Sequence, residues 1–295
     1  MSTFSRDDGD RLLADPTDAR SNCGVGVVMD LDDEGGHWVV SDGLELLANL
    51  EHRGTTGAEQ DTGDGAGVMI QTPHDFFADE VDADLTPDEY AVGTLFLPKD
   101  DEDARDGLVD LVEEQFADEG LDVLAWRTVP TDNDDLGATA VESEPEVVQV
   151  FVESADGLTG EEFGRQLYVA RSALESHVEE AEPAGHERFY VVSLDQDMVV
   201  YKGLLKGEQV ADYYPDLTDE RVDTTFVMVH ARFSTNTLGA WHLAHPYRRI
   251  IHNGEFNTIQ GNINWMRARE TDLASEAFGD SEARSASDAS GEQSD

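Results

Sequence analysis

Ser21-Asn22-Cys23-Gly24-Val25-Gly26 places the only cysteine of a 295-residue chain just ahead of an apolar, strand-like run from Val25 to Met29. One cysteine makes no internal disulfide and cannot assemble a four-ligand zinc site unaided, so a chemical role for this thiol is nucleophilic. The competing reading is a small buried apolar residue. Two features favour chemistry. Gly24 and Gly26 leave the backbone around the sulfur uncrowded, and cleavage of the Asn22–Cys23 bond gives residue 23 both a thiol and a free α-amine, a nucleophile with its own base. Residues 1–22 are therefore expected to be a propeptide removed on maturation.

Composition sets the frame for this nucleophile. With 39% hydrophobic and 8% aromatic residues, the chain has the material for a folded core. Its 65 acidic against 19 basic side chains give a net charge of −46. Disordered acidic chains lack such apolar content, so the expectation is a folded protein with an acidic coat adapted to high salt, a halophilic trait. Such a surface is a poor partner for nucleic acid and anionic membranes. Residues 1–22 lack the continuous apolar core of a secretory signal, and nothing elsewhere approaches a membrane span, which points to a cytoplasmic protein.

Working outward from Cys23, Val25–Met29 and His37–Ser41 read as a hairpin around the polar turn from residue 30 to 36. Leu44, Leu47, Ala48 and Glu51 follow at helical spacing and lead into His52-Arg53-Gly54, where the two cations also suit a helix C-terminus. Asp61-Thr62-Gly63-Asp64-Gly65-Ala66-Gly67 has the look of a phosphate loop. The β-type run Val68–Gln71 follows where a dinucleotide fingerprint needs a helix, so nucleotide binding is rejected. What remains is a glycine-rich turn beside an active site, or a plain tight turn.

Thr86-Pro87-Asp88-Glu89 carries a helix-start signature, and Tyr90–Leu97 reads as a strand. Leu108, Leu111, Val112, Gln115 and Phe116 mark one face of an amphipathic helix. Val147–Val152 is a strand, and a long helix from Thr159 turns Phe163, Leu167, Ala170, Leu174 and Val178 inward. Phe189–Leu194 and Met198–Leu204 read as a hairpin around Asp195-Gln196-Asp197. Because strands and helices do not alternate strictly, the pattern predicts an α+β fold of antiparallel sheets covered by helices.

The polar groups suited to chemistry concentrate between residues 225 and 270. The strand Thr225–Val229 runs into His230-Ala231-Arg232, whose guanidinium suits either a substrate carboxylate or a salt bridge. A further strand, Arg248–Ile251, ends in His252-Asn253-Gly254-Glu255. Asn253 and Gly254 offer the side-chain amide and backbone N–H of an oxyanion hole, or an Asn-Gly hairpin turn. Ile259–Glu270 reads as a helix. Everything after Phe278 is small or polar apart from one arginine, so residues 279–295 are expected to be a low-complexity, disordered tail behind a domain spanning 23–278.

The joint order of Cys23-Gly24-Val25-Gly26, His52-Arg53-Gly54, Thr62-Gly63-Asp64-Gly65, the run Arg232–Thr237 and His252-Asn253-Gly254-Glu255 resembles the class II glutamine amidotransferase domain of the glutamate synthase large chain. Asn236-Thr237, Trp241-His242-Leu243-Ala244-His245-Pro246 and Trp265–Glu270 favour glutamate synthase within that class. The resemblance implies a four-layer αββα N-terminal-nucleophile (Ntn) hydrolase sandwich and removal of a short propeptide. It implies Cys23 as nucleophile, Asn253 and Gly254 as the oxyanion hole, and Arg232 as clamp for the glutamine α-carboxylate. Thr237, Glu255 and Asp288 are then further substrate-binding candidates, and His52, Arg53 and Gly54 lie in a shared motif. No metal is implied in this chain. FMN and an iron–sulfur cluster are expected on a synthase portion or partner chain, since one cysteine cannot ligate a cluster, and the chain is expected to be a split subunit or a shortened product. The alternatives are a non-catalytic amidotransferase-like assembly module, another class II amidotransferase, or a Cys-His hydrolase using His230, His245 or His252.

Overall fold

Tyr90–Leu97 (β3) and Glu146–Ser154 (β5) read as nearly unbroken apolar runs because both of their faces are covered. Along β3, Tyr90, Val92 and Phe96 enter one core while Ala91, Leu95 and Leu97 enter another; along β5, Val147 and Phe151 part from Val148, Val150 and Val152 in the same way. The strand period of two thus splits these residues between two apolar layers. The structure, a computed structural model, describes residues 23–32, 34–50, 59, 61–233, 239–248, 250–252 and 259–270.

Two compact units divide at residue 253. In the first, Leu121–Thr128 (β4), β5, β3 and Tyr190–Asp195 (β6) form one antiparallel sheet in the order β4-β5-β3-β6. Gly24–Met29 (β1), Phe226–Ala231 (β8), Ala66–Gln71 (β2) and Met198–Gly203 (β7) form the other, in the order β1-β8-β2-β7, also antiparallel. We call the sheet containing Cys23's neighbour strand the first and the other the second.

His37–Asn49 (α1) packs on the first sheet against β1 and β8. The approach is close: a Cβ on Gly26 would stand 2.4 Å from the Leu46 side chain, and one on Gly43 would stand 2.4 Å from Val227. Glu102–Asp118 (α3) and Gly160–Ala181 (α5) cover the second sheet with Leu108, Val112, Phe116, Phe163, Leu167 and Leu174. Between the sheets lie Phe77 and Phe151, whose ring centroids are 5.2 Å apart, with Val68, Val192 and Val199. A buried polar bridge spans this core, in which Arg127 of β4 donates to both Asp216 oxygens (2.7 and 2.8 Å) and to Gln149 of β5, while Tyr201 of β7 donates to Asp216. The expected α+β architecture of four layers, helix, sheet, sheet, helix, is what the chain adopts.

Four local expectations are corrected. His37–Ser41 opens α1 and is not a strand: Val39, Val40, Gly43 and Leu47 bury one helical face against β1 and β8, and this packing overrides the β preference of the Trp-Val-Val run. Thr86–Glu89 starts no helix; it is a turn closed by Glu89 N–H donating to Thr86 O (3.1 Å), with Asp88 at φ 65°, because β3 follows at once. β6 and β7 form no hairpin. After Asp195-Gln196-Asp197 they part, β6 to pair with β3 and β7 with β2, so each gains cover on both faces. The described residues of Arg248–Ile251 form no strand either: Tyr247 and Ile250 exchange backbone hydrogen bonds of 3.0 and 2.8 Å as an isolated bridge.

His74–Glu80 (α2), Ala138–Glu142 (α4) and Gln209–Tyr213 (α6) complete the first unit. The described part of the second unit is the helix Gln260–Glu270 (α7), as expected from the sequence, with Trp265 and Met266 exposed. No described helix is long and apolar enough to cross a membrane.

Candidate active site

Gly24 pairs with Ala231, so the residue before β1 stands beside the residues that follow β8. The Cys23 sulfur, partly buried, accepts from Phe233 N–H at 3.4 Å and lies 3.7 Å from Phe233 O. Between Ala231 and Phe233 sits Arg232, which the second glycine-rich stretch holds from two sides. Its backbone N–H donates to Gly65 O (2.8 Å), and Nη1 donates to Asp64 O (3.0 Å).

That turn needs its glycines. Gly65 takes φ +129°, where side chains strain the backbone. A Cβ on Gly63 would stand 2.4 Å from Leu205 O, and one on Gly67 would stand 2.6 Å from Tyr201 O and 2.8 Å from His245 O. The turn lies against the arginine next to the thiol, and backbone packing rather than phosphate chemistry accounts for its composition.

A third segment arrives through histidines. His230 of β8 is fully buried, and its Nε2 is 3.0 Å from His252 O. The His245 ring stacks on His230 at 4.4 Å and meets His252 edge-on at 4.7 Å. Burial drives His230 down to about 4, and burial followed by the neighbouring His230 and His252 drives His245 down to about 2. Both rings are neutral near pH 7. The backbone immediately before Asn253 is thereby tied to the strand that leads into Arg232.

Cys23 and Arg232 are thus brought together at one end of the first sheet. Asn253, Gly254, Glu255, Thr237, Asp288, His52, Arg53 and Gly54 lie outside the described residues. Sequence reasoning missed the two carbonyls of Asp64 and Gly65 that hold Arg232; the signal for them was the glycine density, which marks close backbone approach without saying to what. Among the described residues no group of three or more His, Cys, Asp or Glu is arranged to hold a metal ion.

Residues 23–295 match the model of the class-II glutamine amidotransferases. The chain belongs to that family, and its activity class is that of an amidotransferase. Among curated proteins it is similar to the large chain of NADPH glutamate synthase from Bacillus subtilis, at 43% identity over 261 residues, covering 88% of this chain and 17% of the relative. It is also similar to the corresponding chain of Azospirillum brasilense, at 39% over 267 residues, covering 90% of this chain and 17% of the relative. The chloroplastic ferredoxin-dependent glutamate synthase of Spinacia oleracea is 40% identical over 274 residues, covering 89% of this chain and 16% of the relative. The chain therefore spans about a sixth of the length of these relatives.

Proposed function

We propose that the chain is the glutamine-hydrolysing part of a glutamate synthase, acting through Cys23 once residues 1–22 have been removed. The supporting observation is the placement of the thiol at the β1–β8 end against Phe233 N–H, with Arg232 beside it in a fixed backbone cradle. In this reading the domain runs from 23 to 278 and residues 279–295 are a tail.

The chemistry follows from the two groups that residue 23 carries as an N-terminus. The α-amine is the base nearest its own thiol and takes the thiol proton. The thiolate attacks the side-chain amide carbon of glutamine. Asn253 and Gly254 donate to the oxyanion, the α-ammonium returns its proton to the leaving nitrogen, and ammonia departs as the thioester forms. Water then attacks the thioester and releases glutamate. Arg232 binds the α-carboxylate, and Thr237, Glu255 and Asp288 complete the substrate contacts. The ammonia serves glutamate formation from 2-oxoglutarate on a synthase portion or partner, which carries the FMN and iron–sulfur cluster; no step of the hydrolysis uses either group.

A Cys-His hydrolase is less well supported, since His230 spends Nε2 on the His252 carbonyl and Cys23 meets Phe233. Mass analysis with a glutaminase assay tests the reading. The expected protein begins at Cys23, releases ammonia from glutamine, and makes glutamate from 2-oxoglutarate only when a flavin-containing synthase chain is added. Full activity in a chain that still begins at Met1 overturns the α-amine mechanism.

A further inference from the structure

Lys202 is the one basic side chain of β7, and it is completely enclosed. Its Nζ donates to His242 O (3.0 Å) and to Ala244 O (2.8 Å), and it lies 4.8 Å from the Tyr190 ring centroid and 4.7 Å from that of Tyr247. No carboxylate pairs with it among the described residues. Burial, with Arg248 nearby, pulls its pKa well below the ordinary lysine value. An enclosed lysine without a counter-charge is costly to fold, and an apolar side chain of the same length fills the space without that cost. Something other than packing is therefore served by the nitrogen.

What it holds is the segment that leads to Asn253. Lys202 stands in register with Gly67, and the segment crosses that glycine so closely that a Cβ there would stand 2.8 Å from His245 O. From Ala244 the chain continues through the stacked His245 to His252, whose carbonyl is bound by His230. The segment is pinned twice, by Lys202 at its start and by His230 at its end.

We infer that Lys202 is a positioning residue for amide hydrolysis: by gripping the carbonyls of His242 and Ala244 it fixes the segment that leads up to Asn253, the residue to which the proposed function gives the oxyanion. The inference rests on the function proposed above. It holds for the ammonium and for the neutral amine alike, since either form has two N–H groups to give. Lys202 touches no substrate; it acts on kcat through the geometry of groups that bind the transition state, and misplacement of about 1 Å in such groups can cost 10²-fold.

Three variants of the full chain test this, Lys202→Met, Asn253→Ala and the pair combined, with Lys202→Gln made in parallel in case the methionine variant does not fold. Lys202→Met is expected to lower kcat by about 10- to 100-fold with KM for glutamine within about threefold. The combined variant is expected to be no slower than Asn253→Ala alone, because both changes remove the same stabilisation. Amide hydrogen exchange across residues 239–252 is expected to quicken, while β3 and β5 keep their protection. Unchanged kcat, losses that multiply in the combined variant, or unchanged exchange overturns the assignment. Exchange is read without turnover, so an inactive wild-type protein condemns the hydrolase reading alone and leaves exchange to decide the role of Lys202.

Discussion

The two sheets are built to different rules. In the second, β3, β4 and β5 run eight, eight and nine residues, and β3 and β5 are apolar on both sides. In the first, every strand is six residues long, glycines stand at 24, 26, 67 and 203, and His230 and Lys202 are enclosed among the aliphatic residues. Long two-sided strands give depth of burial and little else. Short glycine-bearing strands let loops fold over their ends, which brings Cys23, Arg232 and the His242–His252 segment to one edge. Under the function proposed above, chemistry and stability are carried by separate layers, and each of the following outcomes tests that division.

The largest effect belongs to the first sheet. Cys23→Ala is expected to bring glutamine hydrolysis to background while the thermal midpoint stays within a few degrees, because among the described residues the partly buried sulfur bonds to the backbone of Phe233. Residual turnover above background places the nucleophile elsewhere.

Next comes the opposite case. Phe151→Ala removes a fully buried ring packed against Phe77 and is expected to cost about 3–5 kcal/mol in urea unfolding. Well below the midpoint, kcat should hold within about twofold; a collapse of kcat in a folded variant shows that the layers are coupled.

Acid is expected to find the first sheet before the second. His230 and His245 are held near 4 and 2, against about 6.5 in an unfolded chain, so below pH 6.5 the unfolded state binds protons that the folded state refuses. Their contribution is whole above about pH 6.5 and declines as pH falls through the window to about 4, by at most about 1.4 kcal/mol per pH unit for each ring. Glu59 and Asp219, lowered to about 2 chiefly by a backbone N–H of Thr139 and by Arg221, act with the same sign but only below about pH 4.5. Unfolding free energies at pH 7, 6 and 5 should already fall, and His230→Gln should flatten the slope.

Salt should have the smallest and least local effect. With −46 net charges, raising KCl from ~0.1 to ~3 M shortens the screening length from about 10 Å to below 3 Å and should lift the midpoint. A flat curve shows that the acids form local networks instead of a mutually repelling coat.

Sequence and structure agree best where a signal is local and repeated. The stripe Phe163, Leu167, Ala170, Leu174 and Val178 is a helix face on spacing alone, and Tyr90–Leu97 is a strand from end to end. β4 escaped notice because a bulge between Val123 and Ala125 breaks its alternation. The parting of β6 and β7 was hidden for a different reason: Asp195-Gln196-Asp197 has the chemistry of a hairpin turn, while the choice of sheet is made by β3 and β2, far earlier in the chain. At the site, Cys23 and Arg232 were legible as residue types with a known chemistry. The carbonyls that hold Arg232 and Lys202 were not, since a backbone oxygen carries no residue signature.

The sulfur of Cys23 and the amide of Phe233 are 210 residues apart in the chain. Closing a loop of that length costs about 5 kcal/mol of chain entropy by the logarithmic law, and contacts of such long range form late in folding. A nascent chain has long since emerged with its cysteine before β8 exists to receive it. The corner where Cys23 meets Phe233 is therefore assembled by the last described strand of the sheet, and a molecule that stops short of it carries the thiol without this neighbour.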